Sequence, residues 1–347
     1  TKIPADVRGS AFIRKAEKLH NGKYDYSEVN YATSQQPVDI ICPKHGKFQQ
    51  TPNNHLQGKG CIKCTCNAIS RVEQSLKDAF PQFEQNDRAQ LAGLELDLYE
   101  PNKRLAVEVN GVHWHTTEFG KTRNYHLNKT ELCDSQGITL LHFWDSEVTE
   151  QRGLVASMIA AKLGITGTKI YARKATVREV SSEEASRFLA DNHLQGAVPS
   201  SVRLGLYYNE GLVSIMTFGK PRYTKQCRWE LLRFCNKAGI HVVGGASKLL
   251  AAFREAHSGS IVSYANRRFS KGGLYEKLGF VKIGKSAPNY WYVKNGAIRY
   301  SRTQCQKHKL KSLLGDGFDE NLSEVENMRV NGYYQLFDCG NYVYALE

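Results

Sequence analysis

The 347-residue chain has no uninterrupted apolar run of the ~20 residues that a membrane-spanning helix needs, so no membrane partner is expected. It also lacks a basic segment followed by a short apolar one near its start, and no secretory signal is expected. There is no internal repeat and no low-complexity tract, which argues against a solenoid or a disordered linker protein. The nine cysteines are odd in number and mostly scattered in a long chain, which speaks against a disulfide framework and for a reducing cytosol. Acidic residues are the scarcer charge, 34 Asp+Glu against 47 Lys+Arg, for a net charge of +13. At ~100–200 residues per domain the length suits two or three domains, and 41% hydrophobic content supports packed cores.

The charge is unevenly spread. Residues 1–68 carry +5, residues 69–168 carry −4 and residues 169–347 carry +12. An acidic centre between basic flanks suits a polyanion held by the flanks while the central carboxylates await a cation, although basic surfaces also serve solubility alone.

The central stretch concentrates the chemistry. Leu94, Leu96 and Leu98 alternate with Glu95 and Asp97, a turn follows at Pro101-Asn102, and Leu105 to Val109 reads as a second strand, which predicts a β-hairpin. Asp97 and Glu108 then fall on adjacent strands. Beyond Gly111 come His113, Trp114 and His115, a helical pattern through Tyr125, Leu127 and Leu132, and an almost wholly apolar strand from Ile138 to Trp144. Two acids on neighbouring strands can share a divalent cation, and a histidine a few residues on can take a proton from a metal-bound water. A single pair of acids at this spacing is as readily two solvent-facing residues of a half-buried hairpin.

Val109-Asn110-Gly111-Val112-His113-Trp114-His115, with Asp97 ahead and the run Gly137 to Trp144 behind, resembles the core of the very-short-patch-repair branch of the PD-(D/E)XK nucleases. It is still more similar to related phage homing endonucleases with an E-D-x-H-D pattern. That resemblance covers roughly residues 69 to 165 and implies a mixed-sheet nuclease core on double-stranded DNA. It implies Glu73 as the first acid, Asp97 as a Mg²⁺ ligand beside the Val109 carbonyl, and His115 as the catalytic histidine; the residues beside them add Glu108 as a candidate further ligand and His113 as a supporting histidine. The last acid of the pattern falls on or near His126, with Asn128 beside it, and the usual lysine two residues beyond Glu108 is replaced by Asn110.

Ahead of this core, Val7 to Leu19 has helical spacing and stops at His20-Asn21-Gly22. Cys42-Pro-Lys-His45 and Cys61-Ile-Lys-Cys64 then place two ligand pairs on tight turns, a spacing that suits a structural Zn²⁺, with His55 and Cys66 as alternative ligands. A redox CxxC would want a βαβ setting, which is missing. So small a fold buries little core, and the metal would supply folding energy. The stretch resembles the zinc-binding module at the front of phage-type homing endonucleases, which implies DNA contacts here, with Lys44, Lys59 and Lys63 as candidates.

After a linker at Gly164-Ile-Thr-Gly167, Tyr171 to Val180 reads as a strand and Ser181-x-x-Glu184 as a capping box. Arg203 to Phe218 reads as a hairpin turning at Asn209-Glu-Gly211, and Trp229 to Cys235 as a strand. His241-x-x-Gly244-x-Ala246 opens an apolar helix, and glycines there let backbone N–H groups meet a phosphate. With Asn266 and Gly273-Leu-Tyr-Glu-Lys-Leu-Gly-Phe280, this part resembles the GNAT acetyltransferase fold. His241 stands where that family has Arg or Gln, and the expectation is a GNAT-like scaffold reused for DNA, with acetyl-CoA not expected. The final part interleaves Tyr290, Trp291 and Tyr292 with Arg299, Arg302, Lys307, Lys309 and Lys311. Such rings and cations suit bases and phosphates, or else a half-buried strand and a solvated helix face. Arg222, Arg267 and Arg268 are further candidate phosphate contacts.

The expectation is a multidomain α+β and α/β protein with a zinc-bound β module at 1–68, a PD-(D/E)XK-like core at 69–168 and a GNAT-like domain at 169–347. Its expected function is Mg²⁺-dependent, site-specific cutting of double-stranded DNA, in the cytoplasm of a bacterium or a phage-infected host. The alternatives are a GNAT-type DNA-modifying acyltransferase with a degenerate nuclease core, or a DNA-binding protein without chemistry. Oligomeric state and recognition sequence are not legible.

Overall fold

The computed structural model describes residues 4–165, 167–295 and 298–347, without the side chains of Ala5, Lys63 and residues 65–70. Thr166, inside the expected linker, lies outside the described residues, whereas Gly164 ends the helix Arg152–Leu163 in the left-handed region at φ 78°. The fold is mixed α/β with several sheets, and none of the described helices is long and apolar enough to cross a membrane. Its contacts group the chain differently from the three consecutive stretches 1–68, 69–168 and 169–347. One unit comprises residues 1–75, 111–121 and 290–336, and the other comprises 76–110, 122–289 and 337–347.

The first unit opens with the helix Ala5–Leu19, which buries Phe12 and Ala16, one turn apart. It stops where predicted, with Asn21 and Gly22 both at positive φ. The hairpin Val38–Cys42 and Gly46–Gln50 turns inward at Val38, Ile40 and Cys42. Fully buried His55 lies in the short helix Pro52–Leu56, ringed by Phe12, Tyr24, Tyr26 and Phe48 and stacked on His20 at 4.1 Å. Its Nδ1–H donates to the Lys59 carbonyl at 2.9 Å, and the Tyr26 hydroxyl donates to Nε2 at 2.9 Å. The neutral ring is therefore fully bonded, and burial, helped by His20, holds its pKa down at about 4.

A histidine whose folded pKa is depressed contributes stability at pH values above the ordinary 6.5, and that stability is lost as pH falls toward 4. This unit is expected to lose roughly 2 kcal/mol between pH 7 and pH 5, read from urea midpoints. Most of the loss should vanish in His55→Gln, the remainder coming from His20 and His113, whose burial also lowers their pKa. An equal loss in that variant would move the cause elsewhere.

The rest of the first unit is a three-stranded sheet in the order Ile298–Ser301, Tyr290–Lys294, Tyr333–Phe337. It packs around Tyr292, Cys305, Leu310, Met328 and Tyr333. The hydroxyls of Tyr290 and Tyr292 both donate to one Glu324 carboxylate oxygen, at 2.9 and 3.2 Å. These two tyrosines therefore hold a core together and are not offered to bases.

Among the described residues the second unit holds three sheets, two large and one of two strands. The four-stranded one has the order Glu84–Leu91, Leu94–Glu100, Leu105–Asn110, Thr139–Trp144, antiparallel except for its last, parallel pair. The helix Tyr125–Ser135 precedes the parallel strand, which is buried on both faces and so reads as a continuous apolar run. The seven-stranded sheet runs Val281–Lys285, Asn341–Leu346, Ile261–Asn266, Trp229–Asn236, Gly211–Gly219, Val202–Tyr208, Thr176–Glu179. The strand Asn341–Leu346 thus lies one place in from the sheet's edge. The expected hairpin turns at Asn209 and Glu210, both at positive φ, and Arg178 bonds the Glu210 carboxylate at 2.8 and 3.1 Å.

The strand expected over 171–180 breaks instead. A 3₁₀ turn at Ala172–Lys174 sends Thr168–Tyr171 away from the large sheet to pair with Ile240–Val243. Arg268 ties the sheets together, its guanidinium bonded to Glu147 and 4.7 Å from the Trp144 ring, with the His142 amide donating to its carbonyl at 2.8 Å.

Candidate functional site

Four ligand-type side chains converge in the first unit. Cys42 ends a hairpin strand, His45 sits in the turn that left-handed Gly46 (φ 73°) allows, and Cys61 and Cys64 bracket the start of the helix Ile62–Ala79. The His45 Nδ1 lies 3.6, 3.6 and 3.2 Å from the sulfurs of Cys42, Cys61 and Cys64, and Cys42 Sγ lies 3.5 Å from Cys64 Sγ. All four ligand atoms fall within 4.8 Å of one another. Zinc bonds of ~2.3 Å to sulfur and ~2.0 Å to nitrogen put tetrahedral ligands ~3.5–3.8 Å apart, so the set fits a metal such as zinc. Burial raises the Cys42 thiol, but the Lys44 and His45 amides and the Cys64 sulfur outweigh it and hold the thiol at about 6. His55 is committed elsewhere, and the side chain of Cys66 lies outside the described residues.

In the second unit the hairpin ladder ends at Leu98 opposite Val107. Beyond it the carboxylates replace ladder bonds: Asp97 Oδ2 accepts from the Val109 amide at 2.8 Å, and Glu108 Oε1 accepts from the Asp97 amide at 3.2 Å. Glu108, 4% exposed, receives Lys129 Nζ on its other oxygen at 2.5 Å. Lys129 comes from the helix Tyr125–Ser135, where it shares a face with buried His126, Thr130 and Cys133. Burial raises both acids; the charge of Asp97 raises Glu108 further, while Lys129 opposes the rise in each. Two acids with raised pKa and one lysine form a site whose surplus negative charge a divalent cation would relieve.

The other predicted residues are placed as follows. Glu73, His113 and His115 belong to the first unit. Glu73 and His115 are half-buried, and His113 packs its ring on Trp114 and Phe119, with burial lowering its pKa. His126 is 2% exposed and its Nδ1–H donates to the Phe337 carbonyl at 2.8 Å, which anchors a strand end, while Asn128 is exposed.

Several candidate DNA contacts are buried or already paired. Arg267 and Arg268 are each 3% exposed and paired, with Glu131 and Glu147. Arg222 is bound to buried Glu230, and Lys59 pairs with Glu118 and donates to Asn54. Arg302 lies against the Tyr290 ring, and Lys307 and Lys309 each donate to a backbone carbonyl, yet all three are exposed, as are Lys44 and Lys311. Arg299 is half-buried, and the side chain of Lys63 lies outside the described residues.

In the second unit, His241 lies on a strand outside the large sheet, and left-handed Gly244 (φ 76°) caps the helix Gly245–Ala256. An open cavity of about 590 Å³ lies there, lined by Tyr171, Arg173, Gly244 and Lys248 among others. The Lys248 ammonium is spent on the carbonyls of Ala172 and Ala175, at 3.0 and 2.7 Å.

Over residues 7–65, the stretch of the cysteine–histidine module, the chain matches a family described as "Protein of unknown function (DUF723)". Uncharacterized protein R892 of Acanthamoeba polyphaga mimivirus is 44% identical over 54 residues, 15% of this chain and 20% of the relative. Protein R97 of the same virus is 46% identical over 50 residues, 14% and 18% of the two chains, and R47 is 34% identical over 86, 21% and 43%. The chain thus spans about a fifth of the length of the first two curated relatives. Among solved structures, a GNAT-family acetyltransferase from Bacillus cereus is 12% identical, covering 50% of this chain and 96% of the other with a TM-score of 0.27. The yncA protein of Salmonella typhimurium, solved with acetyl-CoA, is 13% identical, covering 50% and 94% with a TM-score of 0.29. Likenesses at those TM-scores carry no argument about this chain.

Proposed function

We propose that the chain is a metal-dependent endonuclease acting on double-stranded DNA, of the homing type that its sequence resembles. The observation that carries this reading is the Asp97, Glu108 and Lys129 constellation at the open end of a hairpin. The Asp97 and Glu108 carboxylates, with the Val109 carbonyl, would hold Mg²⁺, which when bound supplies Lewis-acid polarisation of the phosphodiester. Lys129 neutralises one carboxylate before the metal arrives and keeps a positive charge beside the developing phosphorane oxygens. His115 enters as general base from the resemblance alone. The exposed Lys44, Arg302, Lys307, Lys309 and Lys311 suit a phosphate backbone.

Supercoiled plasmid with and without Mg²⁺ is the test. Wild type is expected to cut only with the metal, and Asp97→Asn to lose at least about a hundredfold in rate, since metal polarisation is worth several kcal/mol. His115→Ala tests the base separately. Unchanged cutting by Asp97→Asn would end the proposal.

One observation favours a second reading, a GNAT-type acyltransferase. The parallel strands Trp229–Asn236 and Ile261–Asn266 pair only at 229–231 and 261–263 and part beyond, the arrangement a ligand between strand ends would use. Acetyl-CoA binding by the intact chain, absent under the first reading, would decide for it.

A further inference from the structure

Tyr223 lies between the strands Gly211–Gly219 and Trp229–Asn236, and at 75% exposure it is the most exposed large apolar or aromatic side chain among the described residues. The ring is held in place. Its edge-to-face partner is Tyr264, at 5.5 Å and 86°, and the Arg222 guanidinium lies 5.5 Å from its centre. Arg222 is itself fixed by the fully buried Glu230 carboxylate, to which its amide donates at 2.8 Å, its Nε at 3.0 Å and its Nη2 at 2.5 Å. A buried acid, an arginine and a second ring thus present one aromatic face to solvent. Around it Lys220, Lys225 and Arg228 are exposed, and residues 219–229 contain no acid.

We infer that this loop is a stacking platform for an unpaired base of a polynucleotide strand, its lysines and arginine lying along the flanking phosphates. A planar ring accepts any base by its π-face, and cations beside it meet the backbone. Bases inside a duplex are already stacked, so the occupant is a single-stranded segment or a frayed end. An anionic membrane fits less well, because interfacial anchoring uses several apolar side chains and this loop offers one. The inference rests on the reading of the chain as a DNA-acting protein and names the strand form it grips.

The test is binding without added Mg²⁺ of a short labelled single strand, the matching duplex and anionic phosphatidylserine vesicles by the full chain. Tyr223→Ala is expected to weaken single-strand binding by about tenfold or more, with little change on the duplex, while Tyr223→Phe keeps wild-type affinity. In Tyr223→Trp, indole fluorescence should be quenched by the single strand beyond any change in wild type. Equal single-strand affinity of wild type and Tyr223→Ala, or quenching by vesicles instead of DNA, overturns the inference and leaves the nuclease reading intact. Failure of wild type to bind either DNA overturns both.

Discussion

Removing zinc is expected to unfold the first seventy or so residues of the chain while the sheets of the second unit keep their protection against hydrogen exchange. The core of this module is small: Phe12, Ala16, Tyr24, Tyr26, Val38 and Ile40, with Cys42 and Cys61, the last two of them ligands. A fold of this size buries too little apolar surface to offset its chain entropy. Structural zinc in comparable peptides contributes an apparent ~10–16 kcal/mol, as much as burying several large apolar side chains at ~1.5–3 kcal/mol each. Without the ion, three cysteine sulfurs 3.2–3.6 Å from one imidazole nitrogen have no reason to stay together. Elemental analysis should find one zinc per chain. Phenanthroline treatment, or Cys61→Ser, should release zinc and expose the helix Ala5–Leu19 to exchange and proteolysis. Protection of that helix unchanged after complete zinc loss would refute a folding role.

Local signals were legible where one interaction dominates. The spacing of Cys42, His45, Cys61 and Cys64 sufficed because four ligands on two turns have few arrangements. The hairpin at Asp97 and Glu108 and the turn at Asn209 followed from alternation and turn chemistry. Reading failed where a distant partner decides. Arg267 and Arg268 look like exposed cations in sequence, yet Glu131 and Glu147 on other elements bury them. Tyr290 and Tyr292 look like a stacking platform until Glu324, over thirty residues on, takes their hydroxyls. Lys129 was missed because no motif spacing links it to Glu108; its one trace is a lysine among buried positions of a helix. The two-unit grouping was illegible because segments far apart in sequence share one unit.

Lys129→Met is expected to destabilise the chain in urea unfolding without metal chiefly above pH 8, by up to about 1.4 kcal/mol per pH unit, since there it strands a buried carboxylate that has lost its cation. Glu108 is 4% exposed and faces the Asp97 charge, so Lys129 is the group that makes its ionised form tolerable. The pH dependence follows in sign. A carboxyl whose folded pKa is raised above the ordinary 4.5 binds its proton more tightly in the folded chain, so stability falls as pH rises from there toward the folded value. In Lys129→Met that folded value climbs above the wild type's value of about 8, so the penalty relative to wild type should be small up to about pH 7 and grow through pH 9. Lys129→Met combined with Glu108→Gln should recover most of the loss, because no unpaired charge is left. Millimolar Mg²⁺ should also restore Lys129→Met, by binding the folded state alone, and should leave the double variant unchanged. A Lys129→Met penalty independent of pH would show that packing of the lysine stem, rather than its charge, is what the carboxylate pair requires.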